Sequence, residues 1–221
     1  MPGGGGGPGE PPAPAADAVP AGAGSAVAAA GVSPQALHPH FESPHVRFHD
    51  SWLAALREYH DEGRHDWLDE DIFEDRDEFG RYCAAVKSAV DHLGEPDFYL
   101  AKLYGTPPPG EWVDGYAPQT VLWWVAGDKY LGRLSIRHRL TPHLLYHGGN
   151  IGFEVRPSAR RRGHATAMLA AALPLAAALG IDPARVDCFA GNVASRRVIV
   201  KNGGVFDEER DGSFFFWVPT S

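Results

Sequence analysis

Apolar residues recur with helical spacing in some segments of this chain and in short runs bounded by turn residues in others. The clearest helical segment follows Asp50 or Ser51, either of which can cap it, and Gly63 marks its end. A second helix is expected from about Asp77 to Gly94. The other predicted helices are 164–179, which Gly180 ends, and 192–202, which Asn202, Gly203 and Gly204 end.

Short apolar runs between glycine, proline and asparagine predict the strands. The segment 120–139 is typical of a hairpin, with Gly127 and Asp128 at its turn. Because a hairpin joins antiparallel strands, the pattern predicts an α/β (α+β) fold in which helices flank a mixed, largely antiparallel sheet. The other predicted strands are 44–48, 98–104, 150–156, 185–190 and 213–218.

Composition divides the 221 residues into a tail and a domain. Residues 1–36 are almost all Gly, Pro, Ala, Ser and Val, with Glu10 and Asp17 as the charged residues, so we expect a disordered tail and a folded domain over 37–221. The tail contains no Lys or Arg for a secretory signal, and the chain contains no run of 18 apolar residues. We therefore expect a cytoplasmic protein that does not insert into a membrane.

The segment 160–166, RRRGHAT, indicates an anion site. It places three arginines between a predicted strand and a predicted helix, in a chain whose net charge is −8. The free N–H groups and positive dipole of a helix start bind phosphates well, and Gly163 lets a ligand approach the backbone. This turn carries neither the Rossmann fingerprint nor the Walker loop.

The pattern R-x-x-G-x-A at Arg160, Gly163 and Ala165 resembles the pyrophosphate loop of the GNAT superfamily of acyl-CoA-dependent N-acyltransferases. The resemblance extends over roughly residues 45–219, and GRLSIRH, VRPS-x-R-R-x-G-x-A-T and KNGG are similar to motifs of a bacterial subgroup of predicted acetyltransferases. It implies a GNAT fold, acetyl-CoA as co-substrate and N-acetyltransferase activity. A catalytically silent acyl-CoA-binding module is the alternative.

The resemblance also implies which residues hold the coenzyme. The backbones of Phe153 and Val155 would pair with its pantetheine arm, and the N–H groups of 161–166 would bind its pyrophosphate. Asn192 would contact the coenzyme as well, although asparagine at a helix start is equally expected as a cap. The implied coenzyme-binding set is Phe153, Val155, Arg160, Arg161, Arg162, Gly163, His164, Ala165, Thr166 and Asn192.

Catalytic residues are harder to assign. The tyrosine that protonates the leaving thiolate in many relatives is replaced here by Ile199. Glu154 is a candidate general base, but strand alternation turns it away from the side that the base occupies in several relatives. Its alternative role is to pair with an arginine, either Arg133, Arg137 or Arg156. His138 is the second candidate base, and His147 and a water relay are further alternatives.

The partner expected is a small-molecule or peptide amine. Acidic residues crowd 66–78, and in this family that connection borders the acceptor channel, so a cationic acceptor is favoured over the alternative of a merely solvated face. Since acidic residues outnumber basic ones by 28 to 20, we expect no nucleic acid partner. The histidines match no zinc spacing, so no metal is expected. A homodimer is compatible with the resemblance.

Overall fold

The computed structural model describes residues 38–88 and 117–221. The predicted tail, the predicted strand 98–104 and the last residues of the predicted second helix lie outside the described residues. Within them the strands are β1 (His40–Glu42), β2 (Gln119–Ala126), β3 (Lys129–Arg137), β4 (Ile151–Val155), β5 (Ala184–Phe189), β6 (Val205–Arg210) and β7 (Ser213–Val218). The helices are α1 (His49–His60), α2 (Glu70–Glu74), α3 (Arg76–Ser88), α4 (Pro142–Tyr146), α5 (His164–Ala178) and α6 (Val193–Lys201), with short 3₁₀ turns at Val46–Phe48 and Pro157–Ala159.

The strands form two antiparallel sheets. The first has the order β1-β2-β3-β4, and the second has the order β5-β7-β6. The two meet where the N–H of Asn150 donates to the carbonyl of Arg185 at 2.7 Å, and the N–H of Arg185 returns a bond of 2.9 Å to the Asn150 side chain. Gly149 makes this approach possible, since a Cβ there would lie 2.4 Å from the Arg185 carbonyl oxygen.

A core lies on each face of the first sheet. Helix α5 covers one face and packs on an aliphatic group that includes Leu134, Ile136 and Ile151. Helices α1 and α3 cover the other face, where the buried side chains are largely aromatic. That second core comprises Phe48, Trp52, Leu53, Ala55, Leu56, Tyr59, Leu68, Phe73, Phe79, Tyr82, Cys83, Val86, Trp123, Val125 and Tyr130.

A register shift in the hairpin determines which side chains share a face. Val125 pairs with Tyr130 but Trp124 pairs with Gly132, so Leu131 is an extra residue in β3. The shift puts Tyr130 on the α1 face, together with its partner Val125 and with Trp123. Without the extra residue, Tyr130 would join the aliphatic core on the opposite face.

The hairpin, the first helix, the strand–helix pairs of 150–202 and the strand 213–218 are confirmed within a residue or two. The predicted strand 44–48 is wrong. The His45 side chain accepts a hydrogen bond from the Arg47 N–H and starts a 3₁₀ turn, and the strand forms earlier, as β1. Neither Asp50 nor Ser51 caps α1, because the helix already begins at His49, with Phe48 at the N-cap position. The Ser51 hydroxyl instead accepts a bond from the Tyr130 N–H of β3. Helices α2 and α4 and strand β6 were not predicted.

No helix within 38–88 or 117–221 is long and apolar enough to cross a membrane.

Candidate active site

The outer edge of β4 is a row of backbone groups that β3 does not use. Two backbone hydrogen bonds show which residues of β4 direct their backbone groups toward β3. One runs from Arg156 N–H to the Leu131 carbonyl at 2.9 Å, and the other from Arg137 N–H to the Asn150 carbonyl at 2.7 Å. In an antiparallel pair, alternate residues exchange both bonds with the partner strand. Phe153 and Val155 therefore turn their N–H groups away from β3, and β4 is the last strand of its sheet.

The turn after β4 leads into a helix start with unpaired N–H groups. Gly163 stands at the N-cap with a φ of 85°, and no side chain caps the helix. The first bond of α5 runs from Ala167 N–H to the Gly163 carbonyl at 3.1 Å. The N–H groups of His164, Ala165 and Thr166 consequently have no intrahelical acceptor. Arg161 also has a positive φ, 63°, so both Arg161 and Gly163 adopt the left-handed backbone conformation before the helix begins.

The three arginines of this turn differ in their surroundings. Arg160 donates two hydrogen bonds to Glu62, at 2.6 and 2.7 Å, and a third to the Val155 carbonyl at 3.1 Å. Arg161 and Arg162 are exposed. The positive charge of Arg160 is thus balanced within the protein, whereas the other two project toward solvent.

His164, the first residue of α5, is partly buried against Trp124. The indole N–H of Trp124 lies 3.4 Å from the Nδ1 of His164. Burial, together with the charge of Arg162, lowers the pKa of His164. The imidazole is therefore held mainly neutral at pH 7, and an anion bound at the helix start would counter the effect of Arg162.

Helix α6 supplies a cap but no hydroxyl at the tyrosine position. Asn192 is the N-cap, and its side chain accepts a hydrogen bond from Ser195 N–H at 3.0 Å, as the capping interpretation requires. Ile199 is fully buried in the aliphatic core. A Cβ on Gly204 would come within 2.5 Å of the Ile199 side chain, so the site is closely packed.

Glu154 lies on the α1 face of β4, opposite the face that Phe153 and Val155 share. Its carboxylate accepts hydrogen bonds from Arg133 at 2.5 Å, from Arg64 at 3.0 Å and from His65 at 2.9 Å. Burial alone would raise the pKa of Glu154, but the charge of Arg133 and the bonds from His65 and Arg133 outweigh it and hold the pKa well below its usual range. Glu154 is therefore ionised and accepts protons poorly.

Of the three arginines that the sequence offered as partners of Glu154, Arg133 is the one that pairs with it, and Arg64 is a second partner. The register explains the pair, because Arg133 is directly opposite Glu154 on β3. Arg137 instead donates to the carbonyls of Gly148 and Gly149, and Arg156 pairs with Glu58 of α1. Arg64 and His65 were missed, since they come from a loop ninety residues earlier and no local pattern marks them.

A small cavity of about 20 Å³ opens beside Glu154 on the α1 face, room for about one water molecule. Tyr59 lines it, and the buried hydroxyl of this residue has no hydrogen-bond partner among the described residues. Burial also raises the pKa of Tyr59, so the phenol stays protonated and can donate. The cavity is lined by Trp52, Ala55, Leu56, Tyr59, His65, Trp67, Leu68, Tyr82, Tyr130, Arg133 and Glu154.

The two candidate bases are not brought together. His138 follows β3 and is five residues beyond Arg133, the partner of Glu154, which is about 17 Å along the sheet. The Nε2 of His138 lies 2.9 Å from the Thr120 hydroxyl. His147 ends α4, where its ring contacts that of Tyr146.

Much of the acidic run has a structural role. Glu70 and Glu74 pair with Arg57, and the side chain of Asp69 caps α2. Asp75 accepts bonds from two N–H groups at the start of α3. In the described ranges, no three or more His, Cys, Asp or Glu side chains are placed so that they could hold a metal ion.

A sequence profile described as the acetyltransferase (GNAT) domain matches residues 54–205, which is more than half of the chain. The chain therefore belongs to the GNAT family and is an acetyltransferase. No curated protein matches the sequence.

Solved structures with this fold agree with the assignment. RimJ of Mycobacterium smegmatis, solved in complex with CoA-disulfide, is 16% identical with a TM-score of 0.51, and the match covers 82% of this chain and 81% of that one. A putative ribosomal-protein-serine acetyltransferase of Vibrio cholerae is 12% identical with a TM-score of 0.50, and the match covers 85% and 96%. At these identities the likeness shows the fold.

Proposed function

We propose that this chain transfers the acetyl group of acetyl-CoA to the nitrogen of a primary amine by direct attack. The observation that carries the proposal is the open edge of β4, which runs straight into the uncapped start of α5. A strand edge can pair with an extended amide-containing arm, and a helix start can bind a pyrophosphate. The RimJ structure contains a coenzyme A derivative, which supports the choice of ligand.

Each part of the coenzyme has a matching part of the protein. The amides of the pantetheine arm would pair with the backbones of Phe153 and Val155. The pyrophosphate would accept bonds from N–H groups of 161–166, with Arg161 and Arg162 adding charge. Asn192, at the start of α6, would reach the coenzyme from the other side.

The reaction then needs little beyond positioning. The neutral amine attacks the thioester carbonyl, and the N–H of Val155 donates to the oxyanion that forms. The C–S bond breaks, and coenzyme A leaves as thiolate. Because Ile199 occupies the position of the usual tyrosine, the thiolate takes its proton from water. Glu154 and His138 stay predictions for the base, and the ion pairs of Glu154 weigh against it.

The acceptor is a small-molecule or peptide amine, and we propose that it is cationic. Asp66 and Asp71 of the acidic run are exposed. Fewer acidic residues support a cationic acceptor than the sequence suggested, since Glu70 and Glu74 are already paired with Arg57.

The experiment is release of free thiol from acetyl-CoA in the presence of a panel of amines: a polyamine, an amino acid, an aminoglycoside and a peptide N-terminus. We expect at least one amine to accelerate release well above the rate without amine, with the acetylated product found by mass spectrometry. The silent-module alternative predicts that acetyl-CoA binds but that thiol release is equally slow with and without every amine.

A further inference from the structure

We propose that His65 is the general base of the reaction and that Glu154 is the residue that positions it. The inference rests on the proposed acyl transfer to an amine. Neither the chain order nor the spacing of the histidines singles out His65, which lies in the loop between α1 and α2.

The first argument is the tautomer that Glu154 imposes. An ionised carboxylate can only accept, so the Nε2 of His65, 2.9 Å from it, carries the proton. The carboxylate is itself held by Arg133 at 2.5 Å and Arg64 at 3.0 Å. The Nδ1 of His65 is left with its lone pair available, and it has no hydrogen-bond partner among the described residues. A carboxylate that fixes one nitrogen of a histidine while the other accepts a proton is the arrangement of a general base.

The second argument is the conformation of His65. Its φ is 60°, a left-handed value that a residue with a side chain adopts at a cost. The ring is held edge-on by its neighbours, with its centroid 4.9 Å from that of Tyr59 and 5.7 Å from that of Trp67. The backbone carbonyl of His65 lies 3.2 Å from Nε2 of His60. The surrounding structure thus fixes the ring where Glu154 can hold it.

The third argument is location. His65 lines the cavity together with Tyr59, whose buried hydroxyl has no hydrogen-bond partner among the described residues. Glu154 stands on β4 between Phe153 and Val155, the residues whose backbones would hold the coenzyme. An amine that enters the cavity would meet a proton acceptor in His65 and a hydrogen-bond donor in Tyr59. The charged or titratable groups that line the cavity with His65 are Glu154 of β4, Arg133 and Tyr130 of β3, Tyr59 of α1 and Tyr82 of α3. His60 of α1 contacts the His65 carbonyl, and Arg64 of the same loop donates to Glu154.

The proton balance is simple. The ammonium group of the acceptor gives one proton to Nδ1 of His65, and the imidazolium lies against the Glu154 carboxylate. The freed lone pair forms the C–N bond, and the C–S bond breaks to give the thiolate. The second proton of the attacking nitrogen passes through solvent to the thiolate, and His65 returns its own proton to solvent.

The kinetic test uses the full chain with whichever amine of the panel turns over fastest. His65→Gln keeps a donor where Nε2 stood and removes the acceptor at Nδ1. We expect kcat to fall by about 10²-fold or more, the acid limb of kcat against pH to disappear, and acetyl-CoA affinity to stay within about twofold. His143→Gln, which changes an exposed histidine of α4, is the matched control. It should leave kcat, the acid limb of kcat against pH and acetyl-CoA affinity unchanged.

Chemical rescue separates catalysis from structure. His65→Gly suits the left-handed backbone and leaves space for a ring, so added imidazole should restore part of the rate in this variant and not in His65→Gln. Retention of near wild-type kcat and of the acid limb in His65→Gln would overturn the proposal.

A second measurement does not depend on the acceptor. In ¹⁵N-labelled protein at alkaline pH, the ring correlations of His65, assigned by their loss in His65→Gln, should show a proton on Nε2 and none on Nδ1, and Glu154→Gln should mix the two tautomers. A proton on Nδ1 in the wild type would refute the role of His65. Absence of amine-dependent thiol release from the wild type would instead refute the proposed acyl transfer, so the two failures are distinguishable.

Discussion

The two faces of the first sheet use the same strand in different ways. On the α5 face, Ile151 and Val155 of β4 are ordinary aliphatic core residues, and the groups that we propose bind the coenzyme are backbone N–H groups at the strand edge and helix start. On the α1 face, Glu154 of the same strand is a buried charged side chain, held by Arg133, Arg64 and His65.

The difference shows how the alternation of a strand can separate two tasks. In our proposal, a backbone edge binds the amides and phosphates of the coenzyme and depends on few particular residues, among them Gly163 for its backbone conformation. Acid–base chemistry needs particular side chains, and we propose that it takes place on the face where α1 and its following loop can supply them. Glu58 of α1 forms an ion pair with Arg156, and Glu62 in the turn after α1 forms one with Arg160. These pairs connect α1 and its following turn with the residues after β4.

The largest effect expected is on the α5 side, from Gly163→Val or Arg162→Glu. Nothing within 4 Å would block a Cβ at Gly163, so the damage comes from its φ of 85° and from a side chain projecting where the ligand approaches. Arg162→Glu places like charge beside the pyrophosphate. We expect the Kd of acetyl-CoA to rise by about 10- to 100-fold in each. Calorimetry with unchanged affinity in both variants would remove the basis of the coenzyme site.

On the α1 side, Glu154→Gln should lower the free energy of unfolding by about 2 kcal/mol at pH 7 and leave acetyl-CoA affinity unchanged. The pKa of Glu154 is lowered in the folded chain, so its stabilisation is complete above the unfolded pKa, near 4 by reference values, and decreases as pH falls below it. Denaturant unfolding of wild type and variant should converge on acidification. A gap that widens toward low pH would contradict the ion pairs.

A smaller effect would distinguish the arginines of the turn. Because Glu62 already balances Arg160, Arg160→Gln should weaken acetyl-CoA binding by only a few fold, and Arg162→Gln by about tenfold. Titrations of both variants at one ionic strength measure the ratio. Equal losses would mean that Arg160 leaves Glu62 when the coenzyme binds.

The smallest effect should follow deletion of residues 1–36. A segment of small residues has little apolar surface to bury, so the melting temperature and coenzyme affinity should be nearly unchanged. A clear drop in melting temperature on deletion would show that the composition was misinterpreted.

The sequence by itself determined what depends on local chemistry. The hairpin turn at Gly127-Asp128, the end of α5 before Gly180 and the cap at Asn192 follow from residues within a few positions, and so does the glycine at the start of α5. Strand alternation alone also predicted that Glu154 lies on the opposite face of the sheet from Ile151, and the regular β3–β4 register confirms this. The motif of arginines and glycine indicated the family together with its strand–loop–helix context and the strings GRLSIRH, VRPS and KNGG.

Only the tertiary structure decided which distant groups meet. The extra residue at Leu131 turns Tyr130 to the α1 face, and the fold carries Arg64 and His65 to Glu154 across ninety residues of chain. The fold also pairs Arg160 with Glu62 and places His138 far from Glu154. Local sequence cannot give these results, because the energy of an ion pair or a buried cavity depends on through-space distance and on exclusion of water, which the packing of α1 on the sheet sets.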